Sequence, residues 1–263
     1  MKILLMLKLT CLSFMCIMFT VSCQHGQGNN NYEASQESVQ QTAKQDTIWK
    51  SSARKMVEQQ IKSRGITDKQ LLKVMKNTPR HRFVPPQYRH AAWNDNPLPI
   101  GFGQTISQPY IVALMTSKLE LNGDEKVLEI GTGSAYQAAI LSRLADEVYS
   151  IEIVEQLAIS ARQKLKEMRY QNVHVLHGDG YKGWPEHAPY DRIIVTAAPE
   201  SIPEKLIEQL KTGGKMVLPE GKNMQLLKRV TKYQNGKIHE EIITGVRFVP
   251  MVHPKEKETT NDE

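Results

Sequence analysis

The stretch Val127-Leu128-Glu129-Ile130-Gly131-Thr132-Gly133-Ser134-Ala135-Tyr136-Gln137 reads as a short buried strand, a glycine turn and the start of a helix. Leu128 and Ile130 supply the apolar character of the strand. Gly131 and Gly133 let the backbone turn tightly and let a ligand approach with no Cβ in the way. Ser134, with Gln137 three residues on, has the form of a capping box at the helix start. Unpaired N–H groups at such a helix start face the crevice at the strand's end. The stretch therefore implies a nucleotide-like ligand over a strand–glycine–helix turn.

The same alternation continues downstream. A helix over 135–144 is followed by a strand over 148–152, a helix near 154–168 and a strand over 173–177. A polar turn Gly178-Asp179-Gly180 precedes a strand over 192–196. A helix from about Ser201, boxed with Glu204 and closed by Gly213-Gly214, leads to a strand over 215–218. Strands alternating with helices predict an α/β fold, a mostly parallel sheet with helices on both faces. The end differs: β-like runs over 224–233 and 237–244 meet at Asn235-Gly236, a hairpin signal that closes the sheet with an antiparallel pair.

Upstream, apolar residues Ile48, Met56, Val57 and Ile61 predict an amphipathic helix closed by Gly65, and Leu71, Leu72 and Met75 a second over 68–76. Prolines 79, 85, 86, 97 and 99 predict a loop-rich segment as far as Gly103. A further helix follows Pro109, with Ile111, Leu114, Met115 and Leu119 at helical spacing.

The first 22 residues combine basic Lys2 and Lys8 with an apolar run over 9–21, the form of an export signal and short for a spanning helix. Thr20-Val21-Ser22-Cys23 resembles a bacterial lipoprotein signal, which implies lipidation of Cys23; Thr20 stands where that signal usually has leucine. A simple cleaved or retained signal, or a start site upstream of a cytosolic protein, are the alternatives. Residues 23–46, rich in Gln, Asn, Ser and Gly, read as a disordered tether, and 255–263 as a disordered charged tail. One folded domain is thus expected over 47–254, with 47–121 as its N-terminal helical and loop segment.

The formal charge of +6 comes from 34 basic and 28 acidic residues. Lys2 and Lys8 belong to the leader, and the remaining basic residues are interspersed with acidic ones. With no basic run carrying interleaved aromatics, nothing supports a nucleic-acid surface. Cys11, Cys16 and Cys23 are the three cysteines, so the expected domain has no internal disulfide, thiolate nucleophile or cysteine metal site. The eight histidines show no metal-ligand spacing, and no metal is assigned.

Glu152 lies 19 residues after Gly133, at the end of the second strand of the alternating set. A carboxylate there can accept both ribose hydroxyls, as the acidic residue of dinucleotide folds does; alone, it also reads as an exposed acid ending a strand. The third position of a G-x-G-x-x-G pattern is Tyr136, which disfavours a dinucleotide. Glu129-x-Gly131-x-Gly133 instead resembles motif I of the S-adenosyl-L-methionine (SAM)-dependent methyltransferases. That resemblance implies a Rossmann-like methyltransferase fold. It places Glu129 around the methionine end of SAM, Glu152 on the ribose and Asp179 on the adenine amino group. Asp179 between two glycines also reads as a turn former. Amino-methylating nucleic-acid enzymes of this fold carry an Asn/Asp-Pro-Pro-aromatic motif after strand four, where this chain has Thr196-Ala197-Ala198-Pro199.

Arg82-Phe83-Val84-Pro85, Pro97-Leu98-Pro99-Ile100-Gly101 and Gly103-Gln104-Thr105-Ile106-Ser107-Gln108-Pro109 resemble the protein-L-isoaspartate O-methyltransferase family. So do Asp191-Arg192-Ile193-Ile194-Val195-Thr196-Ala197-Ala198 and Arg247-Phe248-Val249-Pro250; the resemblance runs from about Ala53 to Met251. It implies methyl esterification of isoaspartyl carboxylates in damaged peptides and proteins, with SAM as co-substrate, after which the ester closes to a succinimide. The acceptor is ionised at neutral pH, so a Ser-His-Asp or Cys-His set is not required. Proximity and water exclusion should carry much of the rate. The resemblance puts Ser107 at the active site, with Thr105 and Gln108 as weaker substrate contacts. From the residues alone, Ser107 reads as the N-cap of a helix that has Pro109 in its first turn. The rivals are a methyltransferase of another carboxylate or small-molecule acceptor, and a non-catalytic peptide-binding lipoprotein on the same fold. The expected enzyme is a monomer, periplasmic and held to the membrane only through Cys23, or else cytoplasmic.

Overall fold

The computed structural model describes residues 48–254; the leader, Cys23, the tether and the charged tail lie outside them. A seven-stranded sheet carries the molecule, in the spatial order β5-β4-β3-β6-β7-β8-β9. Its strands are β3 (Lys126–Ile130), β4 (Glu147–Glu152), β5 (Val173–His177), β6 (Tyr190–Val195), β7 (Leu210–Glu220), β8 (Gln225–Lys232) and β9 (Ile238–Val246). From β5 to β7 every pairing is parallel, whereas β7–β8 and β8–β9 are antiparallel. Chain order runs outward in opposite directions from the β3–β6 pair, so the crevice at the carboxyl ends of these two strands is the topological switch point.

β3 alternates between two cores. Leu128 and Ile130 pack with Ile193, Val195, Met216 and Leu206, while Val127 joins Val148, Ile194 and Val217 on the other face. Helices α1 (residues 48–56, continued by a π turn Val57–Ile61) through α5 (Glu155–Glu167) bring Met56, Leu71, Met115, Ile140 and Leu165 to that second face. Between them lie α2 (Lys69–Asn77), α3 (Pro109–Leu119) and α4 (Tyr136–Leu141). α6 (Glu204–Gln209) covers the first face through Leu206. The α/β arrangement with helices on both faces is thus as the hydrophobic periodicity predicts. Gly65 ends the first helical run at φ 93°, and Asp68 caps α2 by accepting from Gln70 and Leu71 N–H. At the C-terminal hairpin, Asn235 Oδ1 accepts from Lys237 N–H and Gly236 sits at φ 76°.

Several local expectations are overturned. The predicted box of Ser134 and Gln137 is only half realised: Ala135, at φ 70°, is the N-cap of α4, Ser134 Oγ accepts from Tyr136 N–H at 3.3 Å, and Gln137 Nε2 donates instead to Thr116 Oγ1 on α3. Burial of Gln137 turned its amide toward a neighbouring helix rather than back along its own. Ser201 does not cap α6; the N-cap is Pro203, without a side-chain bond, because the chain is still irregular at Ser201. Gly213 and Gly214 do not follow a helix but lie inside β7, which begins at Leu210 across a register irregularity against β6. α4 stops at Leu141, short of the predicted Leu144. The proline-rich stretch contains an antiparallel hairpin, β1 (Leu98–Gly101) with β2 (Gln104–Ile106), where only loop was expected. Its tip, Gly101-Phe102-Gly103, has three consecutive positive φ angles, which two flanking glycines make accessible.

Candidate active site

Two concavities meet over the switch point. The first is a cleft lined by Gly131 and Gly133, by Ile151, Glu152 and Ile153 at the end of β4, by Thr196, and by the late segment Val249–Val252. The second is a groove of about 1240 Å³ that runs from Arg64 and Tyr110 past Ser107 to β9 and Phe248. Thr105, Thr196, Val249 and Pro250 line both. A smaller cavity of about 40 Å³ lies between Ser107 and the glycine turn.

The glycine turn is fixed from three sides. Gly131 and Thr132 N–H both reach Ile151 O, at 2.8 and 3.2 Å. The Thr196 hydroxyl donates to Ile130 O and Gly131 O, and Thr196 N–H also reaches Ile130 O. Gly131 has φ 96°, and a Cβ there would lie 2.4 Å from Thr196 Oγ1, so both the conformation and the space demand glycine. The Glu152 carboxylate takes Gly133 N–H on Oε2 at 2.7 Å and Val154 N–H on Oε1 at 2.9 Å. It therefore holds the turn while standing at the cleft surface with lone pairs remaining on both oxygens.

Glu129 does not line the cleft. It is 0 % exposed under the turn, where its Oε2 accepts from Ser150 Oγ at 2.5 Å and its Oε1 has no partner. Ser150 Oγ also lies 2.6 Å from Thr132 Oγ1, so Glu129 reaches the turn through two hydroxyls. Burial raises its carboxyl from 4.5 to about 8, the Ser150 bond opposing this and Glu152 adding to it. In the unfolded chain that carboxyl loses its proton above about 4.5, whereas the folded protein keeps it up to about 8. The neutral form thus contributes stability that is fully present below the first value and lost as pH rises through the second. Unfolding free energy should accordingly fall across this window by up to about 1.4 kcal/mol per pH unit. Denaturant unfolding at pH 5 to 8 is expected to show that slope in the wild type and a flatter one in Glu129→Gln. Parallel profiles would mean that the buried carboxyl is not neutral.

Asp179 is not on the cleft lining, but its neighbour Gly180 is. Its Oδ1 accepts from Tyr181 N–H at 2.9 Å, and its Oδ2 lies 3.8 Å from His253 Nδ1. The turn-forming reading is therefore realised, with one oxygen left beside His253.

Ser107 lies in the groove and against the small cavity. Its expected role as N-cap of α3 is not what the structure has: Gln108 is the N-cap, and Tyr110 N–H is taken by Asp95 Oδ1 at 3.0 Å, from another segment. The backbone of Ser107 is held by fully buried Arg80, whose Nη2 donates to Ser107 O at 2.8 Å and whose Nε donates to Ala92 O. Desolvation lowers the Arg80 guanidinium to about 10, so it stays charged at neutral pH. Gln108 Nε2 is engaged with Asp95 Oδ2 at 2.7 Å, while Thr105 is exposed and lines cleft and groove alike.

Thr196, Arg80, Asp95 and the Val249–Val252 wall were not among the site residues expected from sequence. The wall is built by Ala198 N–H to Val249 O and Met251 N–H to Ala198 O, contacts between segments about fifty residues apart that carry no local signal. The cleft suits an adenosyl sulfonium ligand: a carboxylate acceptor stands between apolar walls from Ile130, Ile151, Ile153 and Met251, with Gly180 packed closely against Ile130. Among the described residues no group of three or more His, Cys, Asp or Glu is placed to hold a metal.

A family model described as protein-L-isoaspartate(D-aspartate) O-methyltransferase matches residues 51–256. A protein-L-isoaspartate O-methyltransferase of Opitutus terrae is 59% identical over 202 residues, 76% of this chain and 86% of its own. Those of Geobacter metallireducens and Gloeobacter violaceus are 52% and 49% identical, over 76% and 77% of this chain and 93% and 100% of theirs. A solved protein-L-isoaspartate O-methyltransferase superposes with TM-score 0.69 at 29% identity, over 75% of this chain and 65% of its own. A Plasmodium falciparum structure in complex with S-adenosyl-L-homocysteine shares the fold, with TM-score 0.67 at 24% identity over 76% of this chain and 98% of that one.

Proposed function

This chain belongs to the protein-L-isoaspartate(D-aspartate) O-methyltransferase family, and from that premise we propose how its cleft and groove divide the work. The enzyme transfers a methyl group from SAM to the carboxylate of L-isoaspartyl residues in damaged peptides and proteins, which initiates their repair. The observation that carries the division of labour is the meeting of cleft and groove at Thr105 and Thr196, with Ser107 on the groove side.

Bound SAM supplies an electrophilic methyl group on a sulfonium centre. Glu152 accepts from the ribose hydroxyls while holding the glycine turn through Gly133 N–H. Gly131 and Gly133 keep the turn free of side chains. Glu129 supports that turn from below through Ser150 and Thr132, and Asp179 faces the adenine end next to Gly180. On the acceptor side, Ser107 donates a hydrogen bond that aligns one carboxylate oxygen for in-line attack. As the ester C–O bond forms, the sulfonium C–S bond breaks; no proton moves, and the methyl donor leaves as a neutral thioether. Thr105 and Gln108 border the acceptor. No acidic side chain lines the groove, and Arg247 does, beside Arg64 that is paired with Asp95, a polarity suited to an anionic acceptor.

Labelled SAM offered with two peptides that differ only in Asp or isoAsp at one position tests the assignment. Label is expected on the isoAsp peptide alone. Equal labelling of both, or of neither, would sink it.

The enzyme is further proposed to act as a monomer and to reach the periplasm as a lipoprotein anchored at Cys23. The basic start, the apolar run over 9–21 and the small residue before Cys23 support that location. Among the described residues no helix is long and apolar enough to cross a membrane. Fractionation of cells is expected to place the wild type with membranes and Cys23→Ser in the soluble periplasm. Wild-type protein in the cytosol would rule out the anchor.

A further inference from the structure

The corner at which β2 becomes α3, Ser107-Gln108-Pro109, is gripped from two sides by residues outside it. From the core side, Arg80 holds the Ser107 carbonyl. From another side, behind the groove wall, the Asp95 carboxylate gathers three donors. Its Oδ1 takes Tyr110 N–H at 3.0 Å, and its Oδ2 takes Gln108 Nε2 at 2.7 Å and Arg64 Nη1 at 2.8 Å. The Arg64 guanidinium also stacks on the Tyr110 ring, 3.3 Å from its centroid. Arg64, Gln108 and Tyr110 all line the acceptor groove, whereas Asp95 does not.

We propose that Asp95 is a positioning residue for methyl transfer, which locks the Ser107–Tyr110 corner so that the Ser107 hydroxyl meets the acceptor carboxylate in one orientation. This rests on the assignment of Ser107 to the acceptor. The bonding pattern separates positioning from simple helix capping. A cap needs one acceptor oxygen at Tyr110 N–H, and asparagine supplies that as well as aspartate does. The second oxygen, shared by Gln108 and Arg64, has no capping function. In asparagine that position is an amide NH₂ and faces two donors.

Asp95→Ala, Asp95→Asn, Ser107→Ala and the double variant Ser107→Ala/Asp95→Asn, each in the full chain, provide the test through kcat, KM for an isoAsp peptide, SAM affinity and unfolding midpoint. Asp95→Ala is expected to lower kcat about 100-fold, the scale of a misplaced reacting group, with SAM affinity held within about twofold. Asp95→Asn, which keeps the acceptor for Tyr110 N–H, is expected to recover most of the unfolding midpoint lost in Asp95→Ala but not kcat. The double variant is expected to be no slower than Ser107→Ala alone, since a residue that acts through Ser107 has nothing left to position. Wild-type kcat in Asp95→Asn, or multiplicative losses in the double variant, would overturn the proposal and leave the Ser107 assignment standing. Wild-type kcat in Ser107→Ala would instead overturn the assignment itself, and the proposed route through it.

Discussion

Replacement of Ser107 by alanine is expected to lower kcat about 100-fold, the scale of a misplaced reacting group, while SAM affinity stays within about twofold of wild type. The acceptor carboxylate arrives ionised and needs no base, so what remains for the protein is alignment and exclusion of water. Ser107 stands on the acceptor groove and not on the cofactor cleft, which separates the two readouts. Its carbonyl is pinned by Arg80, so the backbone should stay in place when the hydroxyl is removed. Nor does Ser107 cap α3, so the substitution should leave stability nearly unchanged. Steady-state kinetics with an isoAsp peptide, together with a calorimetric titration of SAM, measure both quantities. Retained turnover would take Ser107 out of the mechanism.

Glu152→Gln is the second large effect, and it falls on the other substrate. The carboxylate holds Gly133 N–H and Val154 N–H, one on each oxygen. Glutamine keeps one acceptor and turns the other terminus into a donor facing an N–H group, which loosens either the glycine turn or the start of α5. It also removes the charge offered to the ribose hydroxyls. A lost hydrogen bond to a charged group is worth about 1.5–3 kcal/mol. The SAM dissociation constant is therefore expected to rise about 100-fold, with kcat at saturating SAM reduced far less. Titration of SAM into the variant decides it; wild-type affinity would leave Glu152 as a purely structural anchor of the turn.

Gly131→Ala shows why the turn itself is less suited to such a test. The added methyl would collide with Thr196 Oγ1 in a backbone conformation that alanine resists, so folding and binding would fail together. Glu152 can be changed with less disturbance because its strand, β4, is paired on both sides.

Much of this architecture was legible before any coordinates. The β3 strand, the glycine turn, the alternation of strands with helices and the Asn235-Gly236 hairpin follow from side-chain periodicity and from dihedral demands within a few residues. Gly131, Gly133 and Glu152 reach the cleft as their spacing implies, because a strand–turn–helix unit delivers its own ends to the sheet's edge. The helix starts were less legible. Ser134, Ser201 and Ser107 each look like an N-cap in sequence, yet none is one: Ser134 takes Tyr136 N–H from one position further out, and Ser201 and Ser107 leave the starts of α6 and α3 to other residues. An N–H at a helix start takes whichever acceptor packing brings near, and for Tyr110 that was Asp95, 15 residues away in the chain.

The sequence by itself determined the fold class, the cofactor class and, through its resemblance to the isoaspartyl methyltransferases, the acceptor, because each of these is written in short contiguous motifs. Only the tertiary structure decided that Glu129 lies buried beneath the turn, where desolvation raises its carboxyl, and that Thr196 locks the turn from just beyond β6. It alone showed that Val249–Val252 walls the cleft and that Arg80 and Asp95 grip the corner bearing Ser107. The physical reason is common to all of these. Burial and hydrogen-bond choice depend on distances between segments remote in the chain, and neither periodicity nor local propensity encodes those distances.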